Sequence, residues 1–110
     1  MIVEYFLSTE NNCLTVNLVG RITYSASKAF IEISKTINQS LQSIVVDLAN
    51  VNFIDPVGVG MLIIMAEHAK MNGCSMKIIG VSGQANRVFK ATELLGVIEW
   101  DGNLVDIEII

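Results

Sequence analysis

The sequence predicts an α/β domain: a mixed sheet of about five strands with crossover helices. Three observations predict it. Ile44-Val45-Val46-Asp47-Leu48 is a short, β-branched, unalternating run, the pattern of a central parallel strand covered on both faces. Stretches with apolar residues at helical spacing separate the strand-like runs. A length of 110 residues, 52% of them apolar, suits one domain with a substantial core.

The elements follow in order. Residues 3–9 and 13–19 are two extended runs around Glu10-Asn11-Asn12, read as a β-hairpin. In the second run Leu14, Val16 and Leu18 share one face, and Thr15 and Asn17 the other. Gly20 is expected to end it. Ser25 or Ser27 can cap a helix running to about Gln39, with Ala26, Phe30, Ile33 and Ile37 as its buried stripe. The run at residues 44–48 is the central strand, and ANVNFI after it reads as a loop. Asp55 is a good N-cap, and Pro56 suits the first helical position because its missing N–H would be an orphan there. That helix runs to about Asn72, where Gly73 supplies a left-handed stop. Residues 75–79 form the next strand, residues 84–92 a helix with Ala85, Val88 and Phe89 inward, and residues 97–100 a last core strand. The order is ββαβαβαβ. In the tail, residues 101–110, Asp101-Gly102 signals a hairpin and Val105, Ile107 and Ile109 alternate; a short terminal helix is equally compatible.

Composition excludes several functions. The net charge of −4 and pI near 4.8 leave no basic excess to neutralise nucleic-acid phosphates. Charged residues make up only 16%, which argues against disorder and suggests apolar surface covered by a partner. MIVEYFLS lacks the basic start of a signal peptide, and the longest apolar stretch, residues 56–66, is broken by two glycines and too short to span a membrane. A cytoplasmic protein without direct membrane insertion is expected. Cys13 and Cys74 have no metal-ligand spacing and read as two buried thiols in a reducing compartment. His68, the single histidine, has no neighbour at ligand spacing, so a surface or interface role is expected and no metal or other cofactor. The two glycines of GVSGQANRVF precede a helix but lack a phosphate-loop pattern, and Arg87, Lys90, Lys70 and Lys77 read as solvated. No catalytic set can be assembled from one histidine and scattered acids, so no enzyme is expected.

The helix after Asp55 is the most informative element. Val59, Leu62, Ile63, Ala66 and Ala69 form a stripe suited to the sheet. Val57, Met61, Ile64, Met65 and His68 form a second, on roughly the opposite side. Burial of the second stripe calls for a partner, self-association, or tail residues such as Leu104 and Ile107 folded over it.

GRITYSASKAF, together with the segment from SIVVDLANVNFIDPVGVG to LLGVIEW, strongly resembles the STAS domain. The likeness covers residues 3–100 and marks residues 1–110 as a single such domain with a tail at 101–110. Its most specific parts are VVDLANVNFID, Gly58 and Gly60, the Asn72-Gly73 turn between helix and strand, Gly20, and the closing LLGV. The family includes anti-sigma factor antagonists, stressosome components and cytosolic domains of some anion transporters. The resemblance implies regulation by binding, not catalysis. Such antagonists bind a GHKL-type kinase that doubles as an anti-sigma factor, and the kinase phosphorylates a Ser directly after the Asp that matches Asp55. The added charge at a helix start breaks the contact. Here that position is Pro56, the next is Val57, and no Ser, Thr or Tyr occurs from residue 44 to residue 74. The segment after Gly20, typically acidic in antagonists, is Arg21-Ile22-Thr23.

The sequence therefore points to a bacterial, non-enzymatic protein-binding module resembling an anti-sigma factor antagonist, active in partner switching and transcription regulation but not switched at the usual serine. Its expected partner is a GHKL-type kinase or anti-sigma factor. The expected surface has apolar Val57, Met61, Ile64 and Met65 at its centre, Asn52, Asp55 and His68 at its rim, and Pro56 and Gly58 at the helix start. An accessory subunit of a membrane ABC lipid-transport complex is the alternative. A self-assembling signalling subunit, hence a homo-oligomer, follows, and a small-molecule or nucleotide-binding role ranks last.

Overall fold

The computed structural model describes residues 4–91 and 99–101. One five-stranded sheet has the order β1-β2-β3-β4-β5, with β1 (Glu4–Glu10), β2 (Cys13–Ile22), β3 (Ser43–Ile54), β4 (Ser75–Ile79) and β5 (Glu99–Asp101). β1 is antiparallel to β2, and every other neighbouring pair is parallel. The helices are α1 (Ser27–Ser34), preceded by a 3-10 turn at Tyr24–Ala26, α2 (Pro56–Met71) and α3 (Gly83–Ala91). This is the mixed α/β sheet and element order that the sequence predicts.

The hairpin closes through Asn11 and Asn12, whose φ values of 54° and 61° suit the primed turn that matches strand twist. Leu14, Val16 and Leu18 of β2, Ile44, Val46 and Leu48 of β3, and Met76 and Ile78 of β4 are all buried and form the core face of the sheet. Val45 and Asp47, on the other face of β3, are only half-buried, so the central strand is fully covered on one side alone. α3 packs on β3 through Ala85 and Phe89. The Tyr5 hydroxyl donates to Glu32 Oε1 at 2.9 Å and ties the hairpin to α1.

Three boundaries differ from the sequence reading. Gly20 does not end β2; it sits at φ 106° beside a register shift, and β2 continues to Ile22. A bulge there lets the strand bend without losing its partner. ANVNFI is not a loop. It forms the second half of β3, with Asn50, Val51, Phe53 and Ile54 paired to Val19, Gly20, Arg21 and Ile22. Asn and Ala have poor strand propensity, and the extended partner strand overrides it. α1 ends at Ser34, short of Gln39. Beyond it the Thr36 hydroxyl donates to the Ile33 carbonyl at 2.6 Å and Asn38 Oδ1 accepts from the Ser40 N–H at 2.8 Å, side-chain bonds that compete with helix continuation. The stripe Ala26, Phe30, Ile33 and Ile37 is nonetheless buried throughout. Cys13 is half-buried and Cys74 buried, so only one thiol lies in the core. The tail and the closing LLGV lie outside the described residues.

Candidate functional site

A single residue joins β3 to α2. Asp55 is extended (φ −112°, ψ 175°), its N–H donates to the Ile22 carbonyl at 3.3 Å, and its Oδ1 accepts from the Gly58 N–H at 2.8 Å. This side-chain cap satisfies one of the orphan donors of the first turn. Pro56 fills the first helical position. The start of α2 is thereby locked to the end of β2. Gly58 fits there because a Cβ would lie 2.3 Å from the Ile22 carbonyl oxygen.

Around this junction, Asn52, Pro56 and Val57 are exposed and Asp55 is half-buried. The Arg21 guanidinium lies 4.2 Å from the centroid of the Phe53 ring, its cross-strand partner, and puts positive charge beside the junction. Gln84 of α3 secures the last residue of β3: its Oε1 accepts from the Ile54 N–H and its Nε2 donates to the Ile54 carbonyl, each at 2.9 Å. Neither contact is legible in the sequence, because both depend on register.

Along α2 the second stripe divides. Val57 and Ile64 are 50% and 65% exposed, Met61 and His68 are half-buried, and Met65 is 1% exposed. Met65 and Gly58, expected at the surface, are thus buried beneath the exposed side chains. Met65 packs into the core cluster and faces the space between α1 and α2, so α1 covers this part of the stripe. What remains is an open groove of about 570 Å³ between the two helices. The buried Phe30, Ile37 and Met65 line it, as do the exposed Ile31 (58%) and Ile64. Burial pushes the Cys74 thiol pKa upward, and its Sγ donates to the Leu41 carbonyl at 3.2 Å. Among the described residues no group of three His, Cys, Asp or Glu could hold a metal ion, and no helix is long and apolar enough to cross a membrane.

The family model of the STAS domain matches residues 7–107. A STAS-domain containing protein of Pseudomonas aeruginosa (strain UCBPP-PA14) is 23% identical over 88 residues, covering 80% of this chain and 87% of its own. An anti-sigma factor antagonist from Mycobacterium paratuberculosis superposes with a TM-score of 0.74 at 22% identity, over 94% of this chain and 89% of that one. A sulfate transporter family protein from Wolinella succinogenes has the same TM-score at 12% identity, over 86% and 80%. Against the larger Mglu structure the chain spans only 18% of that protein's length. At these identities the structures share the fold.

Proposed function

We propose that this chain, which belongs to the STAS domain family, is a non-enzymatic protein-binding regulatory module of the anti-sigma factor antagonist kind, one that is not switched at the start of α2. The observation that carries this is the exposed, capped, hydroxyl-free helix start beside exposed apolar side chains. Pro56 and Val57 offer no acceptor for a phosphoryl group, while Val57 and Ile64 expose apolar surface that a partner can bury. Asn52 and Asp55 border that patch, and Arg21 stacked on Phe53 adds a fixed positive charge. The partner is a GHKL-type kinase or anti-sigma factor in the cytoplasm. Control comes from abundance, competition or the partner's own state.

Incubation with such a kinase and ATP, followed by a binding assay, tests this. Binding that survives with no phosphate incorporated is expected. Phosphate on Ser25 or Ser82 with loss of binding would overturn it. The likeness to a sulfate transporter family protein supports a second reading, in which the same face of α2 holds a component of a membrane transport complex. Capture of an ABC ATPase instead of a kinase selects that reading. Monomeric behaviour at high protein concentration would exclude self-assembly through the same patch.

A further inference from the structure

We infer that Asn72-Gly73, at the end of α2, is a site of spontaneous modification: Asn72 converts to isoaspartate in chains where the end of α2 has opened, and the folded cap holds the reaction off. It is the one Asn-Gly pair in the sequence. The chemistry is intramolecular. The Gly73 amide nitrogen, once deprotonated, attacks the side-chain carbonyl carbon of Asn72. A C–N bond forms, the bond to the side-chain nitrogen breaks, and ammonia leaves. Water then opens the cyclic imide to aspartate or isoaspartate. A glycine nitrogen is the least hindered that a following residue can offer, because no Cβ stands beside it. Gly73 is there for another reason. It sits at φ 78°, the left-handed position that ends a helix and favours glycine. The residue that stops α2 therefore also arms its neighbour.

The fold opposes ring closure in three ways. Asn72, the C-cap, stands at φ −99° and ψ 11°. At ψ near zero the Gly73 nitrogen eclipses the backbone nitrogen of Asn72, not the Cβ on whose side the ring must close. The Gly73 N–H donates to the Lys70 carbonyl at 3.0 Å, which holds the proton that must leave. Asn72 Nδ2 donates to the His68 carbonyl at 2.9 Å, which turns the side chain back along the helix. Reaction therefore requires the end of α2 to open locally. The product does not fit back. Isoaspartate adds a methylene to the main chain of a turn in which only residues 72–74 join α2 to β4, and Cys74 of that turn is buried. Its carboxylate cannot donate to the His68 carbonyl, and it brings negative charge to the negative end of the helix.

Peptide mapping by mass spectrometry, after incubation in mildly alkaline buffer with and without unfolding guanidinium chloride, tests this independently of any partner. Conversion of Asn72 at least tenfold slower in the native chain is expected, with Asn72 the first asparagine to convert in the unfolded one. Hydrogen exchange at the Gly73 amide should be protected in the native chain, as its bond to the Lys70 carbonyl requires. After removal of denaturant, the isoaspartate chain should unfold at a lower midpoint than Asn72→Asp, which carries the charge without the added methylene. A native rate less than tenfold below the unfolded one, an unprotected Gly73 amide, another asparagine converting first, or a midpoint equal to that of Asn72→Asp would each overturn it.

Discussion

Gly58 and Gly60 lie two residues apart in α2, and the same substitution should act on them with opposite sign. At Gly58 a Cβ would sit 2.3 Å from the Ile22 carbonyl oxygen, 2.8 Å from Ile54 Cγ1 and 2.9 Å from Ile22 Cγ2. The first of these is backbone, held in the sheet, and cannot rotate away. Overpacking of this kind costs about 1–3 kcal/mol, and the clash with a fixed atom places Gly58→Ala at the upper end. The gain in helix propensity offsets about 1 kcal/mol, leaving a net loss of about 2 kcal/mol. At Gly60 nothing lies within 4 Å of the added Cβ. Gly60→Ala keeps only the propensity term and should stabilise by about 0.5–1 kcal/mol. Urea unfolding measures both. With a slope near the low end of about 1–3 kcal/mol per molar, the Gly58→Ala midpoint falls by roughly 1.5 M and the Gly60→Ala midpoint rises by about 0.5 M. A neutral Gly58→Ala, or a destabilised Gly60→Ala, would refute the tight seating of α2 on the end of β2.

Gln84→Ala removes both partners of the Ile54 peptide groups and should cost about 2 kcal/mol, read as a fall in melting temperature; Gln84→Glu, which can accept but not donate, should recover part of it. Asp55→Ala should cost about 1 kcal/mol through loss of the cap, whereas Asp55→Asn should stay within a few tenths of wild type in the same melts. A thiol-alkylating reagent should label Cys13 first in the native protein. Cys74, buried, its pKa raised and its Sγ engaged with the Leu41 carbonyl, should react only on unfolding, as mass spectrometry of the labelled peptides would record.

The legible features are those the chain specifies locally. The Asp55-Pro56 start, the Gly73 stop, the hairpin at Asn11-Asn12 and strand β4 all follow from cap, turn and propensity chemistry within a few residues. The full length of β3 is not legible because Asn50 and Asn52 argue for a loop on their own, and only the pairing of Asn50, Val51, Phe53 and Ile54 with Val19 to Ile22 of β2 makes this stretch strand. The faces of α2 were harder for a different reason. The helix is apolar nearly all round, so its periodicity cannot choose between sides. The position of α1 decides, and it buries Met65 while leaving Val57 and Ile64 exposed. Ile31 gives no signal as a groove residue, because the groove it lines exists only when two helices lie side by side.

That difference determines which substitution can test the docking surface. Met65→Asp would place a carboxylate in the core and unfold the chain, so loss of binding would carry no meaning. Val57→Asp/Ile64→Asp changes two exposed side chains and leaves the core alone. The decisive measurement is co-purification of binding partners from a native lysate with the wild type and with this double variant, each checked for an unchanged unfolding midpoint. Capture of a GHKL-type kinase or anti-sigma factor by the wild type, lost in the folded double variant, is the expected result. Equal capture by both, or capture that requires a phosphorylated form of the wild type, would contradict an unswitched docking surface on α2.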